Sequence, residues 1–292
     1  MSEADSTLTV IDVLRSWLSP RLDPGALTWL SERCRTVASG DKKALFLAFG
    51  ITPRKIGKDD LQLSLEELAS AEGARARWTP VGWSIDQAAR MLLLLSYPAP
   101  EATTYVAMMD QLFGAGEIRE LVALYQGLPL YPHSAAFQLR CAEGLRTNMQ
   151  SVFCAIAHHN PFPSEQLNDD QWNQLVLKSL FIGVPLDPII GLDKRANAKL
   201  AAILVDFAQE RWAAKRPVSP ELWRCVGPFA DEAGLAALEK VLATGTALER
   251  AAATLALTNC PLQRAKQLLI NEEENSSTMT DWRQIATKIS ST

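Results

Sequence analysis

The sequence predicts an all-α protein: an irregular multi-helix array with a HEAT- or armadillo-like helical stack toward the C-terminus. Three observations predict it. Helix-start signals recur along the chain, apolar residues repeat behind them at helical spacing, and no alternating run rich in Val, Ile and Thr is long enough to form a strand.

Asp23-Pro24 supplies a side-chain acceptor at the N-cap and a proline at the first helical position, after which Leu27, Leu30, Cys34 and Val37 repeat on one face. Asp41 opens a short apolar helix expected to stop at Gly50. Ser64-x-x-Glu67 and Ser84-x-x-Gln87 are capping boxes, and the second starts a segment from Ile85 to Tyr97 that Pro98 ends. Further helices are expected over 101–113, 117–127, 134–158, 168–182, 194–215 and 220–226. Beyond Pro217, segments 231–243, 246–258 and 261–271 are short, alanine-rich and closely joined, which favours antiparallel neighbours and hence the stack, although no fixed-period repeat supports it. Glu272 to Ser277 has nothing to bury and reads as a mobile linker. After it, Trp282, Ile285, Ala286 and Ile289 mark a small amphipathic helix, able to dock on its own domain or on a partner. The expected organisation is a core domain over 1–216, a helical-hairpin stack over 217–271 continuous with it, and a linker with a short helix over 272–292.

Composition narrows the function. With 292 residues, 48% hydrophobic and 21% charged, the chain can bury a large core. A formal charge of −4 leaves no broad basic field, so nucleic acid is excluded as an expected partner. The longest apolar stretches, 44–51 and 91–95, fall far short of the roughly 18 residues of a spanning helix, so membrane contact is peripheral at most. The N-terminus lacks the charged and apolar regions of a signal peptide, and five dispersed cysteines suit a reducing compartment, so a cytoplasmic location is expected.

Candidate site residues are polar groups set within apolar helix. Asp86 and Arg90 stand four apart, within reach of an ion pair, just before a five-residue apolar run. Glu143, Arg146 and Asn148 lie in a second such segment, Asn173 and Lys178 in a third, and Glu210 with Arg211 in a fourth. Asp193, Arg195 and Asn197 occupy a loop that could rim a common cavity. Convergence of these groups would make a site for an anionic or polar ligand. The plain alternative is a set of separate paired struts, with Asp193 serving only as an N-cap.

Other chemistries lack their signals, so no catalytic residue, metal or cofactor is assigned. His158 and His159 would diverge by about 100 degrees on a helix, which does not suit chelation. No Gly-x-Ser-x-Gly elbow and no phosphate-binding glycine loop occurs, Gly57-Lys58 lacking the preceding glycine. Asn168-Asp169-Asp170 lacks the third acid of a prenyl or terpene synthase motif and reads as a helix start.

The assembled strings resemble the EboA family. They are Trp83-Ser84-Ile85-Asp86-Gln87-Ala88-Ala89-Arg90, Glu143-Gly144-Leu145-Arg146-Thr147-Asn148-Met149, Asn160-Pro161-Phe162-Pro163, Trp172-Asn173-Gln174 with Lys178, Gly191 through Asn197, Glu210-Arg211-Trp212, and Ser219-Pro220-Glu221-Leu222-Trp223-Arg224. The resemblance spans about 45–270. It departs at Cys154 and Gln209, where an acid and a histidine are usual in the family, which weakens a shared acid-base mechanism. It implies metabolite traffic: a cytoplasmic, non-catalytic binding or adaptor protein, with Asn160 added to the ligand-binding set. It also implies partner proteins of one gene cluster, including a membrane prenyltransferase-like protein, and a secondary-metabolite precursor moved toward membrane or periplasm. The alternative is an enzyme using Asp86 or Glu143 as acid or base inside a helical cavity.

Overall fold

A computed structural model describes residues 3–272 and 281–291, with side chains from residue 9 to 270 and from 281 to 291. Among these residues every regular element is helical, and the one β-type pairing is an isolated bridge between Asp60 and Ser84. The all-α expectation holds. Dense internal packing divides the chain into two units, Met1–Gln166 and Leu167–Thr292.

The first unit holds α1 (Glu3–Leu18), α2 (Pro24–Ala38), α3 (Lys42–Ile56), α4 (Leu65–Ala74), α5 (Ile85–Ser96), α6 (Ala102–Ala115), α7 (Ile118–Gln126), α8 (Gln138–Gly144), α9 (Gln150–Ala157) and α10 (Phe162–Gln166). Its axis is α5. Every residue from Ile85 to Leu95 except Gln87 is buried, as a helix apolar on all sides requires. Helices α1, α2, α3 and α7 pack around it.

The cap chemistry behaves as expected: Asp23, Asp41 and Ser64 accept from backbone N–H groups three residues on. Two expectations fail for physical reasons. Helix α3 runs through Gly50 and contains Pro53, ending only at Gly57, whose φ of 87° suits a residue without Cβ. Pro53 has no N–H for the Phe49 carbonyl four residues back, and the Nε of Arg90 takes that carbonyl at 3.0 Å. A buried partner on α5 thus offsets the break that stops most helices at proline. The single helix expected over 134–158 is instead a 3₁₀ turn, Ser134–Phe137, followed by α8 and α9. Helix α8 closes at Gly144, where the Tyr125 ring lies within 2.5 Å of an added Cβ, so a residue without a side chain is needed.

The second unit holds α11 (Asp169–Phe181), α12 (Leu192–Arg195), α13 (Ala198–Ala213), α14 (Leu222–Val226), α15 (Glu232–Thr244), α16 (Ala247–Thr258), α17 (Gln263–Glu272) and α18 (Trp282–Ser290). Asn168 caps α11 in a reciprocal box with Gln171, and Asp169 and Asp170 fill its first turn, the helix-start role read for this acidic string. Helices α14, α15, α17 and α18 all pack on α16. This cluster around one helix does not by itself establish a repeat stack. Helix α13 packs on α14 and α15, and the compact division falls at 166/167. The expected linker over 272–277 lies almost entirely outside the described residues. Ile285 of α18 is fully buried and α18 packs on α16, so this helix spends its apolar face on its own unit.

Close backbone approach fixes one of these contacts. A Cβ at Gly227 would fall 2.3 Å from the Ala256 carbonyl oxygen. Gly227→Ala is expected to destabilise the protein by about 1–3 kcal/mol through overpacking, read as a lower midpoint in thermal unfolding.

Candidate binding site around Arg90

Asp86 and Arg90 occupy successive turns of α5 and are both buried, with side-chain exposures of 0% and 3%. The Arg90 guanidinium donates to Asp86 Oδ2 at 2.6 Å and to the Phe49 carbonyl, stands 3.8 Å from Glu120, and lies over the Phe49 ring at 5.1 Å. Asp86 Oδ1 accepts from Ser84 Oγ at 2.6 Å and from Arg119 at 3.2 Å. Burial draws the Arg90 pKa below its ordinary value against the opposing pull of Asp86 and Glu120, yet an arginine stays protonated in such a setting. The ion pair is therefore real, and both Asp86 oxygens accept hydrogen bonds.

Arg90 also forms the floor of a cleft of about 590 Å³, walled by Gly50, Pro53 and Arg54 of α3, by Lys58, and by Ile118 to Leu121 of α7, with Met149 at its edge. Arg54 and Lys58 are exposed. Among the described residues neither forms an ion pair. Four cations against Glu117 and Glu120 leave the lining net positive, a surface that suits an anionic group.

The other predicted residues lie apart from this cleft. In the first unit Glu143 is exposed and pairs with Arg140 at 3.0 Å. Arg146 and Asn148 are exposed. Asn160 is buried, its amide nitrogen donating to the Tyr125 and Ala155 carbonyls and its oxygen accepting from the Phe162 N–H. All three bonds go to backbone, so Asn160 pins the turn after α9. Asn160→Ala is expected to cost about 1–3 kcal/mol, measured as a drop in the urea midpoint. His158 and His159 lie beyond the end of α9, His159 at φ 52°, so the helical geometry expected for this pair does not apply.

In the second unit the predicted residues form struts around the loop before α13. Arg195 donates to the Leu167 carbonyl and Asp169 and stacks 5.0 Å above the Trp172 ring. Asn173 and Asn197 exchange amide hydrogen bonds, and Asn197 also caps α13. Asp193 is exposed and accepts two bonds from Arg224, which also holds Asp187 at 2.8 Å. Arg211 donates to the Pro217 carbonyl and lies over Phe207. Glu210 is exposed. Lys178 is half-buried, and desolvation lowers its pKa.

Sequence reasoning missed Arg119, Glu120, Glu221 and Arg224 as parts of these networks. Glu221 is 3% exposed and accepts from the backbone N–H groups of Leu186 and Asp187. Burial pushes its pKa up, outweighing those two bonds and Arg224. The signal was present, since Glu221 and Arg224 stand in the Ser219-to-Arg224 string, but a carboxylate aimed at a distant loop has no local spacing signature.

Together these elements form an all-helical scaffold with a buried Asp86–Arg90 ion pair and, above it, a cleft lined by cations. Among the described residues no group of three His, Cys, Asp or Glu is placed to hold a metal ion, and no helix is long and apolar enough to cross a membrane. The chain matches the family described as metabolite traffic protein EboA over residues 10–227, and it belongs to that family. No curated protein and no solved structure matches it. The matched span contains every predicted site residue and ends at α14, starting earlier and stopping sooner than the resemblance read from the motifs.

Proposed function

We propose that the protein is a non-catalytic binding protein of metabolite traffic that holds a metabolite carrying an anionic or polar group. The supporting observation is the Arg90 cleft, where exposed Arg54 and Lys58 stand beside Arg119 over a buried ion pair. Fixed positive charge on a rigid floor recognises carboxylate or phosphate oxygens at little reorganisation cost. Its role in the cell would be cytoplasmic, passing a secondary-metabolite precursor toward the membrane with proteins of the same gene cluster, a membrane prenyltransferase-like protein among them. Helix α18 lends no support to the adaptor part of this role, since its apolar face packs on α16. Nor do the carboxylates favour acid-base catalysis: Asp86 is tied by three partners and Glu143 is an exposed partner of Arg140.

Native mass spectrometry of the full chain as purified should show a retained small acid. Calorimetric titration with inorganic pyrophosphate should give saturable binding that weakens about tenfold or more in the Arg54→Ala/Lys58→Ala variant. Pyrophosphate binding unchanged by that pair of substitutions, or no binding at millimolar concentration, would overturn the proposal.

A further inference from the structure

Val122 and Gln126 of α7 line a second cleft, of about 310 Å³, with different chemistry. Its walls are the indoles of Trp78 and Trp83, the imidazoles of His158 and His159, and aliphatic Val81, Val122 and Ala155. The remaining lining groups, from Gln126, Ser151, Cys154 and Asn160, are polar without formal charge, and no Asp, Glu, Lys or Arg takes part. This is the reverse of the Arg90 cleft, although α7 and the start of α9 contribute to both.

The walls are preorganised. Trp78 sits within a row of indoles, tilted against Trp17 at 5.3 Å and edge-on to Trp83 at 5.8 Å between ring centres. The two imidazole rings stand 6.4 Å apart at 74°. Left-handed backbone at Arg77, Gly82 and His159 turns the chain at its edges, and such conformations persist only where surrounding structure holds them. At the His159 turn, Asn160 next along the chain ties the backbone to Tyr125, Ala155 and Phe162 through three bonds. Two lining residues carry a buried polar atom with no hydrogen-bond partner in the chain: the Trp78 indole N–H and the Gln126 side-chain oxygen. A native core rarely leaves such groups unpaired without a reason.

We propose that this cleft binds a small, flat, uncharged aromatic ligand. Aromatic walls and uncharged polar groups reward stacking and penalise a formal charge, which would be desolvated without a counterion. The volume is at the small end of ligand pockets, which limits the ligand to a few fused or linked rings.

The test uses N-phenylnaphthylamine, a neutral probe that becomes fluorescent out of water, with the full chain. Saturable binding of one probe per chain is expected. Ser151→Trp, which places an indole at the exposed mouth, and His158→Ala should each weaken it by about tenfold while leaving the thermal midpoint unchanged. Arg54→Ala, in the other cleft, should leave it unchanged. The sulfonated analogue, anilinonaphthalene sulfonate, should show no binding that is sensitive to Ser151→Trp. Absence of saturable binding would overturn the proposal, as would probe binding indifferent to both substitutions. An anionic analogue displaced by the same substitutions would overturn the charge selectivity.

Discussion

Replacing Arg90 with methionine is expected to lower the unfolding free energy by about 3–5 kcal/mol, because it strands the Asp86 carboxylate in the core. The exposed Arg119 and the Ser84 hydroxyl remain within reach of Asp86, but neither replaces the bond from a guanidinium that is itself buried. The Phe49 carbonyl also loses its donor. Asp86→Leu combined with Arg90→Met should recover a large part of the loss, since an apolar pair of similar volume removes both desolvated charges. Urea denaturation of the two single variants and the double variant would measure this. Equal losses in Arg90→Met and the double variant would show that the carboxylate was never stranded.

Glu221→Ala is expected to cost roughly 2–5 kcal/mol, the sum of two backbone N–H groups left without acceptors in the buried turn at Leu186 and Asp187. Glu221→Gln isolates the charge. Burial raises the Glu221 pKa above the ordinary 4.5, so the folded state binds this proton more tightly than the unfolded chain. The stability it contributes is fully present below the unfolded value and is lost as pH rises through the folded one. The advantage of the native protein over Glu221→Gln should therefore be largest near pH 4 and shrink toward neutrality. Urea midpoints of both proteins across that range provide the measurement, and an advantage that grows with pH would contradict the assignment.

Local chemistry in the sequence was enough to place several helix starts, because a cap is a contact between residues three apart: Asp23, Asp41, Ser64 and Asn168 each accept from the backbone N–H three residues on. The i, i+4 pairing of Asp86 with Arg90 was legible for the same reason. What was not legible depends on elements distant in sequence. Helix α3 passes Gly50 and Pro53 because α5 supplies a donor from Arg90, and position 144 needs glycine because the Tyr125 ring occupies the place of a Cβ. The clefts share this property. Lys58, Arg119 and Met149 meet only once α3, α7 and α9 have packed, and the aromatic cleft gathers Trp78 and His158 from segments with no common pattern.

The carbonyl freed by Pro53 makes residues 53 and 90 a single unit of change. While Arg90 donates to Phe49, proline at 53 has nothing to break. Once Arg90 is apolar, the same proline leaves a buried acceptor unpaired, and an amide-bearing residue at 53 becomes the better choice. A chain that exchanges its buried ion pair for aliphatic packing should therefore discard this proline as well, and the order of the two steps matters. Substituting 53 first keeps a donor on the Phe49 carbonyl at every step, whereas substituting 90 first crosses a state in which that carbonyl has none.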